Sequence, residues 1–547
     1  MNKFKITIDD RPVEVAPGQS VLDAARKLGL DIPTLCHLEK CGPLTTCQVC
    51  LIKEVSHGAG RLVPSCGTKA VPGMVIESET EEVHAARRTA LELLFSDHVG
   101  DCLSPCHRLC PLQLNIPVMI RHIEAARLDE AVATVRQALP LPSVLGRLCH
   151  HPCEQGCRRA NWDNPAAIRE MERFVADNDL KGAEPHLPSR KPASGKSVAV
   201  IGAGPAGLAA AYFLARQGHA VTVADRHDQP GGTLRSQVAE KDLPREVLDA
   251  ELAQLACLGI EFKPGVELGN HITLDGLLRG FDAVLLAIGE GAQREGDKLG
   301  VALASTGIKA DPNTCRTHLP NVFAAGAAVK SVKQLVRVMS EGKAAAECVH
   351  QFLSGLPVRR PDKPFSSVMG RLEKIELKAF LQGASLTPTV APCDACAGFN
   401  QDQAASEALR CLHCDCRSSG HCALQHYAQV YGADANRFRA ERRPFEQHLQ
   451  PGGVIFEPGK CIVCGICVKL TELAQEELGL AFIGRGFDVR VAAPFNRTIE
   501  EGLQKVAEEC VRHCPTGALE FREETGARAA AAADRQALRG SNPPPFQ

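Results

Sequence analysis

Residues 196–234 read KSVAVIGAGPAGLAAAYFLARQGHAVTVADRHDQPGGTL, and the fold turns on this stretch. The short, β-branched run Val198–Ile201 predicts a buried strand. Gly202, Gly204 and Gly207 then form G-x-G-x-x-G, and Leu208–Gln217 carries a helical apolar pattern. A second strand is predicted over Ala220–Ala224, ending at Asp225. Strand, glycine turn, helix, strand and acid together make a βαβ dinucleotide-binding opening. Gly202 permits the tight turn, Gly204 lets backbone approach a pyrophosphate, and Gly207 lets helix and strand pack closely. The helix N-terminus offers free N–H groups and a positive dipole end to phosphate. Asp225 is placed to accept hydrogen bonds from a ribose diol.

The glycines alone do not separate FAD from NAD. Two further stretches favour FAD: Pro230-Gly231-Gly232, and Asn321–Gly326 followed by a helix predicted from about 331 to 353. With them, the segment resembles the FAD domain of the glutathione-reductase-like flavoproteins, most closely the small subunit of bacterial glutamate synthase. Phe281–Gly289 is similar to that family's strand returning toward the flavin. The resemblance implies that Gly202, Gly204, Gly207, Asp225, Gly231, Gly232 and Gly326 bind the cofactor. One position departs: Ala327 stands where the family has the Asp of a Gly-Asp pair. The family also carries a second glycine-motif domain, for NAD(P)H, before the Asn321 segment. Only about thirty residues are available for it here, about the size of one βαβ unit, so the flavin domain is expected to lack it.

A chain of 547 residues holds about three to five domains. Hydrophobic content of 44% supports real cores, and a formal charge of −2 gives no reason to invoke nucleic acid or an anionic membrane. The N-terminal residues lack the apolar core of a signal peptide. No apolar run approaches the ~18 residues of a spanning helix. Twenty-five cysteines clustered at short spacings, with no export signal, point to the cytoplasm and to metal or cluster ligation rather than disulfides.

Near the N-terminus a predicted hairpin and a helix opened by Ser20 and Asp23, a capping box, precede Cys36, Cys47, Cys50 and Cys66. A rigid C-x-x-C pair can grip one iron while the more distant cysteines close the cage; zinc is the alternative. The segment resembles the β-grasp [2Fe–2S] domain of the complex I 75-kilodalton subunit and of iron-only hydrogenases, with Cys41 a spare. A helix is predicted over 81–95. Then come His98, Cys102, Cys106 and Cys110, helices near 116–127 and 128–138, and Cys149, Cys153 and Cys157. Two cysteine triplets around a helical hairpin resemble the N-terminal domain of the glutamate synthase small subunit, which implies two [4Fe–4S] clusters. The resemblance puts Cys102, Cys106 and Cys157 on one and Cys110, Cys149 and Cys153 on the other. His98 occupies the place of a missing cysteine. Glu172 occupies the place of a non-cysteine ligand, though it reads more readily as a surface helix carboxylate.

Past a linker at 183–195, the FAD domain is expected over 196–355, with a second linker at 356–367. Cys411, Cys414, Cys416 and Cys422 put four sulfurs within twelve residues, enough to close one [4Fe–4S] cage, with zinc the runner-up. Cys393 and Cys396 form a further half-site. Cys461, Cys464, Cys467 and Cys514 resemble one complete [4Fe–4S] set of a two-cluster ferredoxin. Thr471 replaces a ligand of the second cluster, and Cys510 is a remnant. Arg485-Gly-Phe487 and Pro515–Leu519 further resemble modules attached to hydrogenases and formate dehydrogenases. The tail from Ala527 is expected to be disordered.

The expected fold class is therefore multidomain α/β and α+β. Its parts are a ferredoxin domain (1–80), a helical Fe–S domain (81–182), the FAD domain (196–355), a Cys-rich segment (390–450), a ferredoxin-like module (451–526) and a tail (527–547). No nucleophile–base pair is evident among the nineteen histidines, so catalytic residues are not assigned. Expected cofactors are FAD, one [2Fe–2S] cluster and two to four [4Fe–4S] clusters. The reading that follows is an oxidoreductase: an electron-transfer subunit whose partners are of the formate dehydrogenase, hydrogenase or NADH-oxidising flavoprotein type. A self-contained NAD(P)H oxidoreductase and a cluster scaffold with an empty flavin site are the alternatives.

Overall fold

The computed structural model describes residues 3–56, 58, 60–182, 184–291, 298, 300–394 and 396–522. The predicted disordered tail lies outside the described residues. The chain packs as two compact units, each drawn from separated stretches of sequence. Of the described residues, the first comprises those up to 103, 364–383 and 414–522; the second comprises those in 104–363 and 384–413.

In the first unit, a five-stranded mixed sheet runs in the order Arg11–Val15, Phe4–Ile8, Val75–Glu77, Leu51–Glu54, Arg61–Pro64. Phe4–Ile8 pairs antiparallel with Arg11–Val15 and parallel with Val75–Glu77. Alternation sends Ile6, Ile8, Val13, Val15, Ile52 and Ile76 into one core, where Leu22 of the helix Val21–Lys27 meets them. The predicted capping box is present: Asp23 N–H donates to Ser20 Oγ (3.1 Å) and Ser20 N–H to Asp23 Oδ2 (2.8 Å). The helix Glu81–Phe95 also belongs to this unit. Its Arg87 is fully buried, donating to the Leu51 carbonyl (2.9 Å) and the Tyr431 hydroxyl (2.8 Å). A second sheet, His448–Leu449, Val454–Phe456 and Leu519–Phe521, adds another core shared with Leu91, Phe95 and Leu424.

In the second unit, five parallel strands run in the order Ile260–Lys263, Ala220–Ala224, Ser197–Ile201, Ala283–Leu286, Val322–Ala324. Their near-continuous apolar character fits a sheet covered on both faces. The helix Pro205–Arg216 packs against Leu335–Leu353, which starts a few residues later than sequence suggests. Gly342 makes that crossing close: a Cβ there would stand 2.1 Å from the Ala206 carbonyl oxygen. Helices Ile116–Glu124, Leu128–Ala138, Pro142–Leu148 and Ile168–Lys181 share this unit's core. Between Gly289 and Asn321 the described strands are a short antiparallel pair, Leu303–Ala304 with Gly307–Ile308.

A histidine pair, His219 buried and His350 half-buried, ties the segment before the first parallel strand to the long helix. His219 Nε2 lies 2.9 Å from His350 Nδ1, and His219 Nδ1 lies 2.7 Å from Ser194 Oγ. Burial, then the neighbouring His350, pushes His219 down to about 4, and burial lowers His350. Lys191 lowers His219 further, against weaker support from Asp282; at His350 Glu347 opposes the burial, and Lys191 adds a smaller lowering. The unfolded chain takes up a proton at His219 below about pH 6.5, whereas the folded form takes it only near 4. Stability is therefore full above pH 6.5 and falls as pH drops, by about 2 kcal/mol at pH 5. The His219→Gln variant is expected to flatten this limb of a thermal-melt pH profile; an unchanged profile contradicts the assignment.

Candidate functional sites

The dinucleotide opening predicted from sequence forms one wall of a cavity of about 840 Å³ in the second unit. Gly202, Gly204, Asp225, Gly232 and Ala327 line it. Gly202 sits at φ +107°, and a Cβ there would meet the Ala287 carbonyl oxygen at 2.4 Å. A Cβ on Gly207 would come within 1.9 Å of the Gly202 oxygen. At Gly204 the space is open to 4 Å, which leaves bare backbone facing the cavity. Asp225 braces the turn, accepting from Ala203 N–H (2.6 Å) with Oδ2 and from His227 N–H (2.8 Å) with Oδ1. Gly231 N–H returns to the Ala203 carbonyl (2.9 Å), and Gly232 sits at φ +52° against Gly204. Gly326 (φ +66°) lies close against Ala206.

Leu148 and His150, the sequence neighbours of Cys149, line the same cavity. Cys149 groups with Cys110 and Cys153, and Glu172 joins them: after burial itself, Glu172 is the strongest influence raising both the Cys149 and Cys153 thiols. Glu172 is buried, its Oε1 has no hydrogen-bond partner, and burial followed by Glu154 pushes it up to about 8. The structure thus places this carboxylate inside the unit. The long helix steadies the Cys110 loop: Ser340 Oγ donates to the Pro111 carbonyl (3.0 Å) and Lys343 Nζ to that of Leu112 (2.8 Å). Cys106 and Cys157 stand on neighbouring turns, where Gly156 packs against Leu109 and Pro105. Cys411 packs against the same core.

The first unit holds the remaining sets. Cys36, Cys47, Cys50 and Cys66 are all buried, with Cys50 and Cys66 sulfurs 3.4 Å apart. Sulfur contacts with Cys47 and Cys66 hold the Cys36 thiol low. Cys41 is buried in the same core as Cys36 and Cys47, near Lys40, Lys469 and Cys510. Cys461, Cys464, Cys467 and Cys514 line one small pocket together with Cys510. Val463 and Gly465 turn through positive φ to present these sulfurs, and Val463 N–H donates to Cys461 Sγ (3.4 Å). Thr471 is occupied structurally: its hydroxyl donates to Val468 O (2.8 Å) and accepts from Leu480 N–H (3.1 Å).

Sequence spacing groups Cys411, Cys414, Cys416 and Cys422, and the boundary between the two units falls within this run. Cys411 lies in the second unit and the other three in the first. Cys416 and Cys422 are buried beside Cys102, and after burial these two thiols are what raise the Cys102 thiol most. Cys416 N–H reaches the Cys102 carbonyl at 3.4 Å. The expected company of Cys102, namely Cys106 and Cys157, belongs to the second unit. His98 stands near Lys460 in the first unit, and burial with the Lys460 charge pushes its imidazole down to about 3. Lys460 and Glu457, both buried, form an ion pair next to Cys416. Cys393 and Cys396 are exposed, and Gln403 Nε2 lies 3.2 Å from the Cys393 sulfur. Among the described residues, no three His, Cys, Asp or Glu side chains gather closely enough to hold a single bare ion. No described helix is long and apolar enough to cross a membrane.

Three family models match parts of the chain. A 2Fe–2S iron–sulfur cluster binding domain covers residues 2–81, and dihydropyrimidine dehydrogenase domain II, 4Fe–4S cluster, covers 79–183. An NAD(P)-binding Rossmann-like domain covers 200–257. The chain therefore combines iron–sulfur domains with a Rossmann-like nucleotide domain. It is 40% identical over 220 residues to the NADP(+)-dependent formate dehydrogenase subunit beta of Moorella thermoacetica, covering 36% of this chain and 31% of that one. It is 40% identical over 198 residues to the glutamate synthase [NADPH] small chain of Mycobacterium tuberculosis, covering 36% and 40%. It is 39% identical over 189 residues to the NAD-dependent dihydropyrimidine dehydrogenase subunit PreT of Escherichia coli, covering 34% and 45%. The chain thus spans less than half the length of these curated relatives.

Proposed function

We propose that this chain is an electron-transfer subunit of a cytoplasmic oxidoreductase complex. It would carry FAD in the 840 Å³ cavity, a [2Fe–2S] cluster on Cys36, Cys47, Cys50 and Cys66 in a β-grasp ferredoxin domain, and [4Fe–4S] clusters elsewhere. The observation that carries the reading is adjacency: Leu148 and His150 line the cavity, and Cys149, between them in sequence, belongs to a thiol group. Bare backbone at Gly204 fits a pyrophosphate, and Asp225 at the strand end fits a ribose. Ala327 supplies no carboxylate to the cavity, so Asp225 and the Pro205–Arg216 helix N-terminus would do the holding.

Cys110, Cys149 and Cys153 offer three thiols, and Glu172, with an oxygen lacking any partner, suits the fourth position. Cys461, Cys464, Cys467 and Cys514 offer four. FAD, when bound, exchanges electron pairs for single electrons, and iron–sulfur clusters carry single electrons. What the protein supplies is placement, burial and N–H donors to sulfur. The name of one relative, a formate dehydrogenase subunit, supports a partner of that type; hydrogenase and NADH-oxidising flavoprotein partners are the alternatives expected from sequence. The test is flavin released on denaturation of the anaerobically purified chain. About one FAD per chain is expected, and its absence overturns the reading. In the same preparation, rapid bleaching by NADPH or NADH without partners would favour a self-contained NAD(P)H oxidoreductase.

A further inference from the structure

We propose that Cys102, Cys416 and Cys422, with the imidazole of His98, form one iron–sulfur cluster cage inside the first unit. This rests on reading the chain as an iron–sulfur electron carrier. It goes further in taking the ligands from both sides of a long excursion of the chain: residues 104–363 and 384–413 leave the first unit between Cys102 and Cys416.

The geometry is independent of spacing in sequence. Cys416 N–H bonds the Cys102 carbonyl, which brings the two backbones side by side. Two backbone amides aim at the sulfurs, Ser367 N–H at Cys102 Sγ and Gln425 N–H at Cys422 Sγ, each at 3.4 Å. Amides directed at sulfur stabilise thiolate, the ligating form. Gly517 packs hard on Cys416, since a Cβ there would lie 2.4 Å from its sulfur. His98 Nδ1 is sealed from solvent without a hydrogen-bond partner. Its loop is fixed by Val99 N–H donating to the Gly459 carbonyl (2.7 Å), which brings it against Lys460. Three thiols and an orphaned imidazole nitrogen around a buried cation match a cluster and its counter-charge better than a packed core. In a packed core that buried nitrogen would go unsatisfied.

Neighbouring cages are joined by hydrogen bonds from residues beside their cysteines. Thr46, beside Cys47, donates its hydroxyl to the Cys464 carbonyl (3.1 Å). Ala423 N–H, beside Cys422, donates to the Pro515 carbonyl next to Cys514 (3.1 Å). The proposed cage therefore ends a row of three: the Cys36 set, the Cys461 set and the Cys102 set. Lys460, next to Cys461 in sequence and close to Cys416, lies between the last two.

The experiment uses the full chain, anaerobically reconstituted with iron and sulfide, reduced and read by low-temperature EPR with iron counting. C102S, C416S and C422S are each expected to remove the same signal and about four iron atoms per chain, whereas C411S keeps that signal. If C411S removes the C416S signal while C102S does not, the four-cysteine cage of the sequence run is correct and the proposal falls. Should the serine variants fail to fold, H98C serves. It is expected to keep the signal and the iron count while shifting the midpoint potential downward, because a thiolate replaces a neutral nitrogen. An unmoved potential removes His98 from the cage. The [2Fe–2S] signal separates the levels: its presence without the Cys102 signal overturns only this cage, and loss of every cluster signal from the native chain overturns the parent reading.

Discussion

Replacing Arg136 with methionine is expected to destabilise the second unit by about 3–5 kcal/mol, the usual effect of stranding buried charges by removing their partner. Arg136 is 2% exposed and Glu251 fully buried. Its guanidinium donates from Nε and Nη2 to Asp179 Oδ2 (3.0 and 2.7 Å) and from Nη1 to Glu251 Oε2 (2.7 Å). The carboxylates have further donors, Ser143 N–H on Glu251 (2.6 Å) and His186 N–H on Asp179 (2.8 Å), but no other ion-pair partner among the described residues. The Tyr212 hydroxyl caps the Arg136 carbonyl. Five helices meet at this group, so the loss should appear as a large drop in the melting transition carrying the bound nucleotide. E251Q, which leaves a hydrogen bond and one ion pair, should cost much less. A wild-type melt for R136M would show that the carboxylates relax to solvent.

The second large effect is at Gly207. A Cβ here would stand 1.9 Å from the Gly202 oxygen and 3.3 Å from Val200, so the Pro205–Arg216 helix must lift from the Ser197–Ile201 strand. Overpacking of this kind costs about 1–3 kcal/mol. Because it displaces the amides facing the cavity, retained dinucleotide should fall about 10- to 100-fold. G204A provides the contrast: the Cβ meets only open space. It should leave folding intact and weaken binding alone, by occupying room that a pyrophosphate needs. Equal flavin content in G207A and wild type contradicts this account of the turn.

What was legible in the sequence was local. The strand, glycine turn and helix at 197–216 are dictated by neighbours a few residues apart, as is the Ser20–Asp23 box. The grouping of thiols was not legible where the chain leaves and returns, since spacing carries no information across the residues between Cys102 and Cys416. Four sulfurs in twelve residues look like one set, yet Cys416 and Cys422 lie beside Cys102, far away in sequence. Glu172 was legible in principle. It lies one turn beyond Ile168 and beside Met171 and Val175, the buried face of its helix, so its carboxylate had to be buried too. The helix Glu81–Phe95 reads as part of the cysteine segment that follows it. Its Arg87 instead joins Leu51 and Tyr431, partners that only the folded unit supplies.

The most direct test is a joint assay of iron, acid-labile sulfide, zinc and flavin on anaerobically prepared protein, with EPR at poised potentials. The electron-carrier account predicts iron and sulfide in near-equal amounts, flavin near one per chain, and several signals titrating separately. Zinc in the thiolate pockets, with little iron and no labile sulfide, would contradict it.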